Sequence, residues 1–270
     1  MNPKLCLVGI DGLRLDIGLS DGAAPTVSDL VRTSAHASMV MDVPTLSGPG
    51  WASILTGRSH EEHGVYDNSF VGHRLLVCPD LLSRAFYANQ TTKTFAAAGW
   101  PPLVDPVGIG PVIHQRREQE RAGLHQVIVR DGETYGYRQA DGEVADVSVA
   151  TLAKRGPDVS FIYFCETDEA GHVYGAVTTG YREAIGRVDA HLARITAAIR
   201  ARVESTPEEW LLVLTSDHGH LDAGGHGGGE PEVTQSFAIA HSFAGAMENW
   251  PHQMHPTDLV PLLLSYLSGS

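Results

Sequence analysis

The sequence lacks the features of secreted and membrane-spanning proteins. Its 3 cysteines are odd in number, widely spaced and without a Cys-x-x-Cys pair, which excludes a zinc ribbon and a thioredoxin-type site. We expect buried, reduced thiols, as in a cytoplasmic protein. No run reaches the ~20 consecutive apolar residues of a membrane span, and the apolar run 5–10 is shorter than the core of a secretory signal peptide. The sequence therefore predicts a cytoplasmic protein with no membrane partner.

Basic residues are also few. The chain has 19 Lys and Arg against 32 Asp and Glu, for a net charge of −13. The sequence contains no cluster of basic residues. The acidic charge excludes sequence-independent binding to the phosphate backbone of DNA or RNA. A nucleotide-sized substrate remains compatible with the charge, because bound metal ions can make one pocket locally cationic. Apolar residues make up 43% of the chain, which is typical of a folded domain.

Apolar runs that read as strands alternate with segments of helical spacing. The runs 4–10, 159–165 and 210–215 are continuous and predict buried strands. Weaker strand signals cover 35–43, 92–97 and 233–240, and helices are expected at 25–31, 50–56, 79–88, 144–154, 181–203 and 256–267. Such alternation predicts one α/β domain over 1–270, with a mostly parallel central sheet and helices on both faces.

The stretch 101–142 departs from this alternation. It is rich in Pro, Gly and charge, with short alternating runs at 124–129 and 134–137. We expect a small β-rich insertion here that overhangs the site and is no independent domain.

Acidic residues and histidines follow the strongest predicted strands. Asp11 ends the first strand, 166–172 follows the second, and 216–220 with 225–228 follows the third. In open α/β sheets ligands bind beyond the carboxyl ends of the strands. Three Asp and several of the 14 His meeting there form a mixed nitrogen and oxygen ligand set. That set suits zinc or another divalent transition metal better than calcium.

Other catalytic motifs are missing. His60 and His63 lack the i, i+4 spacing of a metalloprotease helix, since Gly64 stands at that position. There is no Gly-x-x-x-x-Gly-Lys-Ser/Thr loop, and Gly108-x-Gly110 lacks the third Gly of a dinucleotide fingerprint. Without a Gly-x-Ser-x-Gly elbow, an α/β-hydrolase is disfavoured too.

The motifs that are present resemble those of the alkaline phosphatase superfamily, and most closely its nucleotide pyrophosphatase/phosphodiesterase branch. They are Asp11 after the first strand, Pro-Thr-Leu-Ser-Gly-Pro-Gly-Trp and the following residues at 44–57, His-Gly-Val-Tyr-Asp-Asn at 63–68, Asp-Glu-Ala-Gly-His-x-Tyr-Gly at 168–175, and Thr-Ser-Asp-His-Gly at 215–219. Their order along the whole chain and their combination make the resemblance specific.

The resemblance implies a site with two divalent ions, expected to be zinc. The first ion would be bound by Asp11, Asp217 and His218, and the second by Asp168, His172 and His226. Ser47 would lie between the ions, bind them and act as the nucleophile. Asn68 would contact a phosphoryl oxygen, and Gly48 and Trp51 would contribute to substrate binding.

Three positions depart from the family pattern. The branch usually has Thr where this chain has Ser47, and Thr45 is a nearby competitor for the nucleophile. His226 follows His218 by only eight residues, so His220 is its rival as the last ligand. Ser47-Gly48-Pro49 partly matches the sulfatase motif, but Trp51 stands where that motif requires Arg, which disfavours a sulfatase.

The chemistry implied is phosphoester hydrolysis. No histidine base is evident for Ser47, and a divalent cation would activate its hydroxyl instead. The helix after Ser47 offers backbone N–H groups to phosphoryl oxygens, while Trp51, Tyr66, Phe70 and the 101–142 segment are candidates for a leaving-group pocket.

Because no motif carries an Arg for a dianionic monoester, with Arg14 and Arg58 only nearby, we expect a phosphodiesterase or nucleotide pyrophosphatase acting through a Ser47 phosphoryl-enzyme. Its partner would be a small phosphorylated substrate such as a nucleotide, and no nucleic acid polymer. The alternatives are a phosphomonoesterase or phosphonate hydrolase on the same site, and a non-catalytic metal-stabilised binding module.

Overall fold

The computed structural model describes residues 3–245, 247 and 249–269, so the predicted domain 1–270 extends slightly beyond them at both ends. One mixed sheet of eight strands forms the centre, in the order β4-β3-β5-β1-β6-β7-β2-β8. The strands are β1 Pro3–Ile10, β2 Ala35–Val40, β3 Thr94–Ala98, β4 His125–Val129, β5 Val159–Phe164, β6 Glu209–Thr215, β7 Gln235–Ser242 and β8 Gln253–Met254.

Neighbouring strands from β4 to β6 run parallel, whereas β7 is antiparallel to both β6 and β2. The prediction of a mostly parallel sheet is therefore confirmed.

Helices cover both faces of the sheet, as predicted. They are α1 Leu15–Leu19, α2 Pro25–Thr33, α3 Ser47–Thr56, α4 His60–His63, α5 Leu81–Ala88, α6 Pro101–Val104, α7 Arg117–Arg121, α8 Gly132–Tyr135, α9 Tyr137–Arg155, α10 Glu166–Tyr174, α11 Thr179–Ser205, α12 Pro231–Thr234 and α13 Leu259–Ser268. Among the described residues, no helix is both long and apolar enough to cross a membrane.

The sheet separates two hydrophobic cores because side chains alternate along each strand. In β1, Leu5 and Leu7 belong to the core beneath α3, α5 and α13. Cys6, Val8 and Ile10 belong to the opposite core, beneath α2, α9 and α11. All three cysteines are buried free thiols, as expected.

The segment 101–142 is not the β-rich insertion that we predicted. Its run 124–129 forms β4, which pairs in parallel with β3 as an edge strand of the main sheet, and the run 134–137 falls in α8 and the start of α9. The local reason for α8 is a helix cap: the Asp131 side chain accepts a hydrogen bond from the Thr134 N–H, as Asp does at helix N-termini. The alternating pattern there was too short to indicate a strand.

The parallel strands bring the predicted site residues to one edge. Asp11 directly follows β1, α10 begins after β5 with Asp168 in its first turn, and Asp217 lies two residues beyond the end of β6. Because β1 pairs with both β5 and β6, these three loops are neighbours.

Candidate active site

Ser47 stands at the first turn of α3. The helix begins at Ser47, three residues earlier than the Gly50 start predicted from sequence, and Leu46 precedes it in an extended conformation. Pro49 is tolerated in this first turn, where the amide hydrogens have no partner within the helix. The nucleophile candidate is thus fixed on a buried helix end.

Four side chains meet around Ser47, and we call them the Asp11 cluster: Asp11, Ser47, Asp217 and His218. The Ser47 Oγ lies 3.4 Å from Asp11 Oδ1 and 3.2 Å from His218 Nε2. His218 Nε2 also lies 3.3 Å from Asp11 Oδ1 and 3.3 Å from Asp217 Oδ2. All four residues are buried.

Two aromatic side chains form hydrogen bonds with Asp11 on the side away from Ser47. Trp51 Nε1 donates to Asp11 Oδ2 at 2.8 Å, and the Tyr163 hydroxyl donates to the same oxygen. The two rings pack edge to face, with centroids 5.3 Å apart. Since both donors take Oδ2, the other carboxylate oxygen, Oδ1, is left facing Ser47 and His218.

A second group adjoins the first, and we call it the Asp168 cluster: Asp168, His172, His220 and His226. Asp168 Oδ1 lies 2.8 Å from His220 Nε2 and 3.5 Å from both His172 Nε2 and His226 Nε2. His172 Nε2 and His226 Nε2 are 2.9 Å apart. The clusters are in contact, because the His218 and His226 rings stack with centroids 3.7 Å apart.

His226 and His220 take different places in the Asp168 cluster. His226 Nδ1 lies 2.7 Å from the Thr45 carbonyl oxygen, which leaves Nε2 towards His172 and Asp168. His220 approaches the same Asp168 oxygen and packs edge to face against Tyr181 on one side and against His172 and His226 on the other. The structure thus brings both histidines to the site, where His220 and His226 belong to one group of side chains that could hold a metal ion.

The cluster carboxylates are crowded and desolvated. Burial, and secondly the charge of Asp168, raise the pKa of Asp11 to about 7, against the opposing effect of the Tyr163 and Trp51 hydrogen bonds. Burial followed by the Asp11 and Asp168 charges raises the pKa of Asp217 far above its usual value. Burial also lowers the pKa of His218 well below its usual range, which favours the neutral imidazole. Carboxylates with neutral imidazoles form a donor set for cations.

The geometry of the Asp11 cluster fits a divalent ion. A tetrahedral ion about 2.0–2.1 Å from each donor places those donors about 3.3 Å apart. The four distances measured in the Asp11 cluster are 3.2–3.4 Å. In addition, Asp217 Oδ2 is buried with no hydrogen-bond partner among the described residues, and a buried carboxylate oxygen left unpaired is costly unless a cation faces it.

Asn68 is fixed beside the nucleophile. Its Oδ1 accepts a hydrogen bond from the Gly48 N–H at 2.7 Å, so its amide N–H₂ group remains free to donate. Gly48 is required for this approach, because a Cβ at that position would lie 2.8 Å from the Asp67 carbonyl oxygen and 3.0 Å from Asn68 Oδ1. The arrangement presents a neutral donor close to Ser47.

The structure corrects the substrate contacts predicted for two aromatic residues. Trp51 is fully buried and Phe70 is 2% exposed, so neither offers a surface to a substrate. The Trp51 indole sits below the site, where its N–H holds Asp11. Tyr66 remains exposed.

Three other candidates from the sequence are occupied elsewhere. The Thr45 hydroxyl donates to the Gly228 carbonyl and accepts from the Gly227 N–H, which leaves Ser47 as the hydroxyl facing the carboxylates. The Arg14 guanidinium pairs with Asp16 and Asp222. Arg58 pairs with Glu62.

Sequence reasoning missed Tyr163. It lies within the strand β5, whose continuous apolar run indicates only that Tyr163 is buried. Its role depends on the strand register, in which Tyr163 stands opposite Gly9 of β1. A Cβ at Gly9 would lie 2.3 Å from the Trp51 ring, so this glycine makes room for the indole. Glycine in a strand, which often marks a close approach, was the available signal.

Solved structures show the same fold. Murine ectonucleotide pyrophosphatase/phosphodiesterase 5 matches with a TM-score of 0.70 at 16% identity, over 98% of this chain and 95% of that one. The phosphonoacetate hydrolase of Sinorhizobium meliloti matches with a TM-score of 0.58 at 15% identity, over 81% of this chain and 56% of that one.

Sequence comparisons are more specific. The bovine (Bos taurus) protein named bis(5′-adenosyl)-triphosphatase ENPP4 is 26% identical over 234 residues, which cover 80% of this chain and 47% of that protein. The chain therefore spans about half the length of this relative. The model of the family described as type I phosphodiesterase / nucleotide pyrophosphatase matches residues 5–228, and the chain belongs to that family.

Proposed function

We propose that the chain is a two-metal phosphodiesterase that uses Ser47 as its nucleophile. The observation that supports this most directly is the position of the Ser47 Oγ, within 3.4 Å of Asp11 Oδ1 and 3.2 Å of His218 Nε2 at the N-terminus of α3. The Asp11 cluster would hold one divalent ion, with zinc as the expected metal. Asp168, His172 and His226 would hold the second.

Bound divalent ions supply Lewis-acid charge that lowers the pKa of the serine hydroxyl and offsets the negative charge of the reacting phosphate. Ser47 Oγ attacks phosphorus in line with the leaving oxygen, the new bond joins the phosphoryl group to Ser47, and the bond to the leaving alcohol breaks. Water then hydrolyses the phosphoserine ester and restores the hydroxyl. The Asn68 amide N–H₂ group, held in place by the Gly48 N–H, stabilises a non-bridging oxygen.

The arginine contacts favour a diester over a monoester. A monoester dianion carries one more negative charge, for which an additional cation is expected, yet Arg14 and Arg58 are paired with carboxylates. Two divalent ions with Asp11, Asp168 and Asp217 leave a net charge of +4 − 3 = +1, which suits a monoanionic diester. A phosphorus with two bridging oxygens and one charge also occurs in a dinucleoside polyphosphate, which is the kind of substrate in the name of the ENPP4 relative.

The test compares Ser47→Ala with Thr45→Val on zinc-loaded protein and bis-p-nitrophenyl phosphate. We expect Ser47→Ala to lower kcat by about 10³-fold or more. Thr45→Val should cost far less, because the two neutral hydrogen bonds of its hydroxyl, with Gly227 and Gly228, involve no reacting atom. Acid quenching and peptide mass spectrometry should locate the phosphoryl adduct on Ser47. Near wild-type activity in Ser47→Ala would exclude this nucleophile.

A panel of substrates, assayed with the same zinc-loaded protein, distinguishes this function from its alternatives. Comparing an aryl diester, an aryl monoester and phosphonoacetate distinguishes a phosphodiesterase from a phosphomonoesterase and a phosphonate hydrolase. A binding module without turnover would hydrolyse none of them while still binding metal. The cytoplasmic location stays a prediction.

A further inference from the structure

The helix α10, which carries two of the residues proposed to hold the second ion, has no cap of its own. Asp168 lies in its first turn and His172 four residues later, and Cys165, which precedes the helix, makes no capping side-chain hydrogen bond. The first amide hydrogens of a helix have no partner within the helix and need an acceptor from elsewhere. The acceptor for α10 comes from another part of the fold.

That acceptor is the side chain of Asp141, which lies on α9. Its Oδ2 atom accepts hydrogen bonds from the Cys165 N–H at 2.9 Å and from the Glu166 N–H at 2.8 Å, across 24 and 25 residues of sequence. The Asp141 side chain is fully buried. A carboxylate oxygen is a favourable partner for a helix N-terminus, both as an acceptor and as a negative charge. Asp141 therefore caps the turn that contains Asp168.

Asp141 is unfavourable for stability at its own position. Its Oδ1 atom is buried with no hydrogen-bond partner among the described residues, and an unpaired buried oxygen costs free energy. Asp is also a poor helix former, and Asp141 lies inside α9. A side chain that costs free energy where it lies, and that supplies the acceptor α10 lacks, indicates a role in placing that helix.

Resting on the proposed function, we propose that Asp141 is a positioning residue for the second metal site. Its carboxylate holds the first turn of α10, so that Asp168 and His172, which lie on one face of the helix, point at the same ion. Without the cap this turn frays and the two side chains lose their common orientation. Metal ligands must be held within about 0.5 Å of their working positions, so loss of the cap weakens metal binding selectively at this site.

Asp189 provides a matched control, because it caps a different helix in the same way. Its Oδ2 accepts a hydrogen bond from the Thr26 N–H at 3.0 Å, and its Oδ1 accepts one from the Val27 N–H at 2.9 Å, at the start of α2. Asp189 is buried as well, and Ala24, which precedes α2, offers no side-chain cap. None of the proposed metal ligands lies on α2. Loss of this cap should lower stability and leave zinc binding unchanged.

The experiment compares Asp141→Ala with Asp189→Ala by isothermal titration of zinc into chelator-treated protein and by urea unfolding of the metal-free protein. We expect both variants to unfold at a lower urea concentration than the wild type. Only Asp141→Ala should bind the second ion more weakly, by about tenfold, while its first ion binds unchanged. His172→Ala identifies which binding step belongs to the second site. Asp141→Asn, which keeps an oxygen for both amide hydrogens, should recover most of the affinity.

Asp141→Leu, whose side chain branches at the same atom as that of Asp, replaces Asp141→Ala if the latter does not fold, and the same loss is expected. An unchanged affinity for the second ion in the Asp141 variant, or an equal loss in Asp189→Ala, would overturn the inference. If the wild type bound two zinc ions but hydrolysed no phosphodiester, the proposed function alone would be overturned. A wild type that bound fewer than two zinc ions would overturn both.

Discussion

The Nε2 atom of His220 lies 2.8 Å from Asp168 Oδ1, with the imidazole fully buried. Two glycines make room for the ring: a Cβ at Gly171 would lie 2.5 Å from His220 Cδ2, and one at Gly12 would lie 2.8 Å from Nε2. His220 Nδ1 is buried with no hydrogen-bond partner among the described atoms. We propose that the ring donates from Nε2 and fixes the orientation of the Asp168 carboxylate.

Replacing His220 should weaken the metal site that Asp168 supports. We expect His220→Ala to lower the affinity for the second zinc ion about 10–100-fold, as loss of a hydrogen bond to a metal ligand typically does. The first ion should bind unchanged. Isothermal titration of zinc into chelator-treated protein measures both affinities, and His220→Asn, which restores a donor, should recover part of the loss. Equal affinities in His220→Ala and wild type would show that His220 does not position Asp168.

Tyr163→Phe should reduce the stabilisation that zinc provides. Its hydroxyl donates to Asp11 Oδ2 and helps to lower the pKa of a carboxyl group whose burial raises it to about 7. Without this donor, Asp11 is more often protonated near neutral pH and binds a cation less well. The measurement is the gain in free energy of unfolding on adding zinc.

The control for that measurement is Tyr181→Phe. It removes a hydroxyl that donates to the Gly12 carbonyl oxygen, accepts from the Arg14 N–H and makes no bond to Asp11. This variant should lose about 2 kcal/mol of stability, for two hydrogen bonds, with and without zinc. If zinc increased the free energy of unfolding by the same amount in both variants, the role of Tyr163 would be contradicted.

Buried His63 should make the protein less stable in acid. Burial lowers the pKa of His63 to about 4, below the value of about 6.5 in an unfolded chain. The unfolded state therefore binds the proton first, and stability is lost as pH falls from about 6.5 to about 4. Between about pH 7 and pH 5 the loss is about 2 kcal/mol. Urea unfolding of His63→Gln, with His36→Gln as an exposed control, should show a shallower pH slope for His63→Gln only.

The sheet edge could be predicted because parallel strands place their carboxyl ends together. Asp11, Asp168 and Asp217 each follow a continuous apolar run. In an α/β fold such runs form neighbouring parallel strands, which place the residues that follow them at the same edge of the sheet. The structure brings these residues together through the pairing of β1 with β5 and β6. Metal identity and ligand roles remain predictions.

The support beneath the site could not be predicted. Tryptophan often contacts ligands, so the sequence suggested that Trp51 binds substrate. Only the three-dimensional packing shows that its indole fills the space left by Gly9. His220 likewise depends on Gly12 and Gly171, which are distant in sequence. The β-rich assignment of 101–142 was wrong because alternation over four residues carries less information than the Asp131 cap.

The presence of two ions around Ser47 is tested most directly by anomalous diffraction at the zinc edge from zinc-loaded crystals. We predict two peaks in each molecule. One should lie among Asp11, Asp217, His218 and Ser47, and the other among Asp168, His172 and His226. A single peak, or ions bound away from these side chains, would contradict the two-metal site.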